Sequence, residues 1–401
     1  MAILLHQSGV LFGVNLSLAD IFCMAITVVL LLQSRLHFPI TATVFFLIVS
    51  IIIFITANFV VPIQFQYSPS LSSVLTNYIK FFACFIYFLV GYNLFILERI
   101  ESVIKYYSLF GICIGFVGVV FTFLHLPFFR DLLFFADVRF RGLMIDPNYF
   151  SVLQLTALVY FLRANEINPR VKSIAMIIIP LSVLISGSKT GMITLFLYLL
   201  FVFFGYLISS NKKATTILYQ LIFISLMVLI MPIVMSFFQK MAIEIFSSIP
   251  SLERVQYLFV DFQNAISESG SERDDVWMAA LGLIQLSPLF GIGIGTYIDL
   301  AWMKFGVDNV AHNSYLQFLA EWGIPITVVF FSYMIYLLFT VTKIRNISNY
   351  SLILRDMIII LLIGSLAVSL NNARILWLIL GALVALLMFY KHSSSGGSYD
   401  V

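Results

Sequence analysis

The chain has 401 residues, of which 61% are hydrophobic and only 10% are charged, and its mean hydropathy is +1.05. A soluble globular protein carries about 25% charged residues, so this composition excludes a soluble protein and indicates a membrane as the main solvent. The formal net charge of +3 is too small to indicate a nucleic-acid partner.

Apolar runs long enough to span a membrane recur along the chain. A spanning helix needs about 20 apolar residues. About eleven such runs lie at 14–33, 39–61, 75–97, 105–126, 147–163, 171–186, 190–208, 215–238, 314–342, 352–371 and 374–390, and a short helix within 1–13 would make about twelve. We therefore predict an all-α integral membrane protein, with one polytopic domain at 1–390 and a polar C-terminal tail at 391–401. No basic segment precedes the first run, so we expect that run to remain as a helix.

The distribution of cations predicts the orientation of these spans. Lys and Arg recur in every second connection, namely 33–38, 98–105, 163–172, 209–214 and 343–355, and the positive-inside rule assigns that side to the cytoplasm. The opposite side then holds one large extracytoplasmic loop at 239–313. It also carries cations that the rule disfavours: Arg130, Arg139, Arg141, Lys189, Lys240, Arg254, Arg273, Lys304 and Arg374. Either these cations bind an anion, or they fall within the statistical scatter of the rule.

The stretch RFRGLMIDPNYF, at 139–150, leads into the fifth span. Pro147 suits the first helical position and Asp146 can cap the helix. Those two roles do not explain Arg141, which could lie along the membrane surface or hold a phosphate through its two-pronged guanidinium. Asn148 falls in the first helical turn, where free backbone N–H groups favour anions.

The stretch LISGSKTGMI, at 184–193, separates two long apolar runs by a break too short for an ordinary loop. Gly187 and Gly191 permit close backbone approach, and Lys189 is its only charge. An ionisable group so near membrane helices indicates a functional role for Lys189. The alternative is that Lys189 lies at the tip of a helical hairpin and extends its ammonium group to the membrane–water interface.

The long outer loop contains SERDDVWMAALGLIQLSPLFGIGIG, and we predict an amphipathic helix near 272–286. Ser271 and Asp274 resemble a capping box, and Trp277, Ala280, Leu281 and Ile284 form one apolar stripe. Arg273 lies in the first turn, where the helix dipole disfavours a cation, so it either pairs with a neighbouring carboxylate or has another role. The glycines at 291, 293 and 295 do not match a nucleotide-binding fingerprint, and we interpret them as close packing or a re-entrant turn.

His312 and Asn313 stand where the outer loop enters the ninth span. A histidine there is commonly an interfacial polar residue, but its ordinary pKa also allows it to act as a base near neutral pH. No Cys or carboxylate lies at a ligand-like spacing from it, so we do not expect a metal site. Asn313 could orient His312 or cap the ninth helix.

Four motifs, in order, resemble the O-antigen polymerase and O-antigen ligase superfamily of membrane glycosyltransferases. They are Arg141-Gly142 with Pro147-Asn148; Ser186-Gly187-Ser188-Lys189-Thr190-Gly191; Arg273 and Trp277 with Ser287-Pro288-Leu289-Phe290-Gly291-Ile292-Gly293; and His312-Asn313-Ser314-Tyr315-Leu316 with Glu321-Trp322-Gly323. Together they cover 139–325. The family usually has arginine where this chain has Lys189, so the charge is kept but the two-pronged geometry is lost.

The resemblance implies a GT-C-like helical fold in the bacterial inner membrane, with the active site facing the periplasm. The implied substrates are glycans linked to undecaprenyl diphosphate, without a cofactor or metal. His312 would be the base and Arg273 the main group stabilising the leaving diphosphate. Arg141, Lys189, Asn148 and Asn313 would bind substrate. The expected partners are the lipid-linked glycan and the bilayer, with a chain-length regulator protein as a further candidate.

Three activities compete within the resemblance. A polymerase joins one lipid-linked repeat to another, a ligase transfers the chain to lipid A-core, and a third branch glycosylates protein. We favour the polymerase, because the chain lacks the larger C-terminal extracytoplasmic region of the protein-directed branch. A polysaccharide-lipid transporter is the alternative from another class. It would be expected to show internal repeats and mid-membrane charges, whereas the charges here gather around one face and one long loop.

Overall fold

A computed structural model of the chain describes residues 1–8, 17–208, 273–343 and 349–394. A short 3-10 helix at Ile3–His6 precedes the α-helices. In chain order these are α1 (Leu18–Leu32), α2 (Ile40–Ile55), α3 (Val61–Phe65), α4 (Leu71–Ile96), α5 (Ile100–Phe123), α6 (Arg130–Leu133), α7 (Pro147–Arg163), α8 (Pro169–Ile185), α9 (Lys189–Ile208), α10 (Arg273–Leu286), α11 (Tyr297–Phe305), α12 (Ser314–Trp322), α13 (Ile324–Lys343), α14 (Asn349–Gly364) and α15 (Arg374–Ser394).

The described residues are predominantly helical and contain almost no strand, which confirms the predicted all-α class. The two strands seen there, β1 (Phe134–Phe135) and β2 (Arg139–Phe140), pair antiparallel as a short hairpin before α7. A π-helical turn at Thr56–Val60 joins α2 to α3, so that Ile40–Phe65 forms one long rod.

Membrane-spanning helices are present, as the composition predicts. Within the described residues, five helices are long and apolar enough to cross a membrane: Ile40–Phe65, Leu71–Ile96, Ile100–Phe123, Lys189–Tyr206 and Ile324–Lys343. The remaining predicted spans coincide with other helices, except 215–238, which lies outside the described residues together with 239–272 of the outer loop. The rest of that loop forms α10 and α11.

Two long helices, α4 and α15, make the most extensive interhelical contact within the described residues. Glycines allow it: a Cβ added at Gly91 would stand 1.9 Å from the carbonyl oxygen of Leu378, and one at Gly381 would stand 2.0 Å from that of Phe88. Small residues let membrane helices approach to backbone contact. Because the N-terminal turns of α4 and α15 border the candidate site, this contact also sets the separation of two of its walls.

The predicted ninth span, 314–342, is divided into α12 and α13. The division falls at Gly323, whose φ of 78° and ψ of 165° end the helical conformation. An added Cβ there would meet the carbonyl oxygen of Leu289 at 2.3 Å, so the chain after α10 packs directly against the break. Apolar periodicity continues through this position, which is why the sequence indicated a single helix.

The glycine-rich segment after α10 provides that packing. Gly291, Gly293 and Gly295 all have positive φ, and an added Cβ at each would fall within 2.8 Å of backbone atoms of other elements. The N–H groups of Ile292 and Gly293 donate to carbonyl oxygens at the end of α12, at 2.8 and 3.0 Å. The interpretation of these glycines as close-packing residues is therefore confirmed.

Candidate active site

The first part of the candidate site is the loop that leads into α7. Arg139 is 8% exposed, and its Nε donates to the carbonyl oxygen of Ser186 at 3.0 Å. Its Nη2 donates to Asn148 Oδ1 at 3.1 Å, and the hydroxyl of Ser188 donates to the same oxygen at 2.9 Å. Asn148 therefore joins the loop before α7 to the turn before α9, and Arg139 fixes the two segments against each other.

The start of α7 has the predicted cap. Pro147 is the first helical residue, and Asp146 Oδ1 accepts hydrogen bonds from the N–H groups of Asn148 and Tyr149 at 2.8 and 3.0 Å. The carboxylate thus compensates the positive end of the helix dipole. This cap places the Asp146 carboxylate and the Asn148 amide side by side at the same helix end.

The turn between α8 and α9 is as tight as its sequence indicated. Gly187 has φ +60°, and a Cβ added at Gly191 would lie 2.5 Å from the Cβ of Ser151 on α7. Lys189 is the first residue of α9 and is half-buried. The lysine is therefore held at the N-terminus of a helix that packs on α7, beside the segment that contacts Asn148.

Arg273 is the first residue of α10. Its Nη2 donates to the hydroxyl of Thr190 at 3.4 Å, which brings the start of α10 to the start of α9. The buried stripe of α10 differs from the predicted one: it consists of Val276, Ala279, Ala280, Leu283 and Ile284. The helix is therefore rotated so that Leu281 is exposed. The predicted capping residue Ser271 lies outside the described residues.

His312 precedes α12 and is half-buried. Its φ of 47° is in the left-handed region, which is uncommon for a residue with a side chain and is found preferentially at functional sites. Burial lowers the pKa of His312; the carboxylate of Asp146 partly offsets this, and the charge of Arg273 lowers the pKa further. The imidazole is therefore neutral near pH 7, and it lies within electrostatic reach of both α7 and α10.

Asn313 is the N-cap of α12. Its Oδ1 accepts from the N–H groups of Tyr315 and Leu316 at 3.0 and 3.1 Å. Of the two roles that the sequence left open, the structure shows the cap. By fixing the start of α12, Asn313 also fixes the backbone that carries His312.

A cavity of about 620 Å³ opens beside His312. Asp146 and Tyr149 line one part of it, and Lys80, Glu321 and Arg374 line other parts. Further lining comes from polar side chains of α4, α12 and the segment before α15, from residues of α11, and from several apolar residues. Binding sites of about 300–1,000 Å³ commonly hold small molecules or parts of larger ones, so the cavity is large enough to admit sugar residues.

Comparison with known families supports an enzyme class for one segment of the chain. Residues 174–331 match a family model described as O-Antigen ligase. The chain carries the pattern of the O-antigen polymerase and ligase superfamily. The matched segment includes Lys189, Arg273 and His312, and it supports O-antigen polymerase or ligase activity in general. No curated protein matches the chain.

Arg141, which the resemblance assigns to substrate binding, contacts its own loop in this structure. Its Nη1 donates to the carbonyl oxygen of Ile145 at 3.2 Å, and its Nη2 donates to that of Asp131 at 2.8 Å. Both terminal nitrogens of the guanidinium therefore bind carbonyl oxygens of the loop before α7. Arg139, two residues earlier, makes the contacts with Asn148 and the α8–α9 turn instead.

The structure adds residues to the site that the superfamily motifs did not indicate. Lys80 and Arg374 line the cavity, and Arg374 donates to both carboxylate oxygens of Asp20 at 2.7 Å. A signal for Lys80 existed, since it is the only charged residue within the predicted span 75–97. Asn371 and Asn372, also at the cavity, had no such signal, because amides are common where a chain turns between two helices.

Proposed function

We propose that this chain is a polysaccharide polymerase that joins oligosaccharide repeats linked to undecaprenyl diphosphate on the periplasmic face of the inner membrane. The observation that carries the proposal is the placement of His312. A histidine whose pKa is lowered by burial lies within reach of Arg273 and at the edge of a cavity, inside the segment matched to the superfamily.

In the proposed reaction, His312 accepts the proton of an acceptor hydroxyl as that oxygen attacks the anomeric carbon of the donor glycan. The new glycosidic C–O bond forms as the bond from that carbon to the diphosphate oxygen breaks, and the lipid diphosphate leaves with the bonding electrons. A lowered pKa keeps His312 unprotonated and able to accept the proton. The imidazolium can then return its proton to the departing diphosphate or to water.

The leaving group gains negative charge, and the cations near His312 are placed to stabilise it. Arg273, bound to Thr190, is the first candidate, and Lys189 at the start of α9 is the second. Preorganised cations and N–H donors aimed at developing charge are commonly the largest contribution to catalysis. Arg141 is a weaker candidate in this scheme, because both of its prongs bind carbonyl oxygens of its own loop.

The direct test uses purified protein and one lipid-diphosphate-linked repeat unit. A ladder of regularly spaced products is expected from the wild-type chain. His312→Gln and His312→Ala should insert and fold normally but lose polymer growth, because a general base contributes about 10²–10⁴-fold. His125→Gln is a matched control, since His125 is exposed and does not line the cavity beside His312.

The alternative activities give different products in the same assay. Transfer only after lipid A-core is added would identify a ligase. Inactivity with both acceptors, together with movement of the lipid-linked repeat between leaflets, would favour the transporter. Unchanged chain growth in His312→Gln would remove His312 from the mechanism.

A further inference from the structure

We infer that the cavity beside His312 is the subsite for the acceptor sugar, and that Gln317, Tyr297 and Ser369 are its specificity-determining contacts. The expected ligand is an uncharged, hydroxyl-bearing sugar residue. This inference rests on the proposed function, because it assigns the acceptor to one side of the proposed base.

Gln317 carries the first observation. Its side chain on α12 is 8% exposed, and its Nε2 donates to Glu321 Oε1 at 2.9 Å. The Glu321 oxygen is the acceptor in this contact, so the nitrogen end of the amide faces Glu321. The other end of the amide, Oε1, is buried and has no hydrogen-bond partner among the described residues. Gln317 is also one of the residues that line the cavity. A buried carbonyl oxygen without a donor is costly, and a sugar hydroxyl would supply that donor.

Two further polar atoms at the cavity share this property. The hydroxyls of Tyr297, on α11, and Ser369, before α15, are both buried and both lack a partner within the described part of the chain. Tyr297 itself is only 3% exposed. Most buried polar groups are hydrogen-bonded, so three unpaired ones on three elements around one cavity indicate a ligand that bonds to several of them.

The charges around the cavity favour a neutral ligand over a diphosphate. Among the described residues, two cations line it, Lys80 and Arg374, and three acidic side chains line it as well, those of Asp146, Asp299 and Glu321. Arg374 already forms a bidentate salt bridge with the carboxylate of Asp20 on α1. With His312 neutral, the described lining of the cavity has no excess of positive charge for a leaving diphosphate.

The position of His312 separates the two substrates. It lines the cavity, while Arg273, which influences its pKa, is not among the described residues that line it. The cation-rich side, with Arg273 and Lys189, then suits the donor diphosphate, and the amide-rich side suits the acceptor. A base between the two can take a proton from a hydroxyl held on one side while the leaving group departs on the other.

Two of the three test variants remove only an atom that makes no hydrogen bond to the described protein. Tyr297→Phe and Ser369→Ala each delete one unpaired hydroxyl and should leave the melting temperature unchanged. Gln317→Leu also removes the bond to Glu321 and serves as a third variant. The reaction uses the lipid-linked repeat as donor and a fluorescently tagged, lipid-free repeat oligosaccharide as acceptor.

For each hydroxyl removed, the acceptor KM should rise about five- to tenfold, the loss expected for one hydrogen bond. The KM for the lipid-linked donor and kcat should stay at wild-type values. Tyr106→Phe is the matched control, because Tyr106 is exposed on α5. An unchanged acceptor KM in both hydroxyl variants, or a raised donor KM in place of it, would overturn the assignment.

Direct binding of the tagged oligosaccharide separates this inference from the proposed function. If the wild-type chain binds the oligosaccharide, Tyr297→Phe binds it more weakly and no polymer forms, then the sugar subsite stands and the polymerase proposal fails. If polymer forms but the three variants bind the oligosaccharide as tightly as wild type does, the subsite assignment fails alone. Absence of oligosaccharide binding to the wild-type chain also refutes the subsite.

Discussion

Replacing Gly381 or Gly91 with alanine should weaken the fold and the activity together. Each glycine lies where α4 and α15 touch through their backbones, and the added Cβ would stand 2.0 or 1.9 Å from a carbonyl oxygen of the facing helix. Ordinary van der Waals contact begins at 3.4 Å, so the helices would have to separate locally by about 1.5 Å. A backbone oxygen cannot rotate away as a side chain can.

The expected cost follows from that overlap. Insertion of a methyl group into a well-packed interior costs about 1–3 kcal/mol, and more where the obstruction is rigid. The activity should fall as well, because Lys80 on α4 and Arg374 at the start of α15 both line the same cavity. A change in helix separation alters the width of the site, and small displacements of binding groups can reduce rates by about 10²-fold.

The measurement is the apparent melting temperature of each purified variant in detergent, together with chain growth on the lipid-linked repeat. Gly205→Ala is the matched control, since Gly205 is also helical but an added Cβ would meet nothing within 4 Å. That variant should be as stable as wild type or slightly more stable. If Gly381→Ala and Gly91→Ala have the same melting temperature as Gly205→Ala and retain activity, α4 and α15 do not pack at the distance described.

Three further predictions concern the site and the opposite end of the bundle. First, activity requires neutral His312, so activity should be lost as the pH falls through the lowered pKa of His312. Asp146→Asn keeps the helix cap but removes a charge that raises this pKa, so the acid limb of the pH–rate profile should move to lower pH. Arg273→Gln removes a charge that lowers the pKa, so the acid limb should move to higher pH. Opposite or absent shifts would contradict the proposed electrostatics. Second, Asn313→Ala should destabilise the chain by about 1 kcal/mol through loss of the α12 cap, while Asn313→Asp should retain stability, as thermal unfolding would show. Third, Asp356→Asn should cost about 3–5 kcal/mol, because the buried Asp356 carboxylate pairs with both Arg163 and Arg355 at 2.7 and 2.6 Å; wild-type thermal stability in that variant would show that the two arginines do not need it.

Local signals in the sequence were sufficient for several of the helices and for some of their ends. The fifth predicted span, 147–163, has the same bounds as α7, because Asp146 and Pro147 mark its start unambiguously. The tight turn before α9 follows from two glycines within an apolar run. In both cases the determining interactions join residues close together in the chain, and such interactions can be inferred from residue type and spacing.

Long-range contacts account for what the sequence did not indicate. Arg139 and Arg141 are the same residue type two positions apart, so residue type alone does not distinguish their roles. Only the folded loop shows that Arg139 contacts Asn148 while Arg141 binds its own loop. The division of the ninth span at Gly323 depends on chain more than thirty residues earlier packing against it. The cavity wall combines α4, α12 and the start of α15, which no local pattern relates.

The candidate active site is assembled from helix N-termini, and the helix dipoles make its concentration of cations unfavourable in the resting protein. Lys189, Arg273 and Arg374 are each the first residue of a helix, where the dipole already places positive charge. A cation in that position costs about 0.3–1 kcal/mol unless an anion compensates it. The Arg374 charge is compensated by Asp20 on α1. The helices that begin at Lys189 and Arg273 meet through Thr190, and the charge of Arg273 reaches His312. A transient diphosphate at this junction would compensate both helix ends just as it forms, so the same electrostatic arrangement that is unfavourable in the resting protein would stabilise the transition state of the proposed transfer.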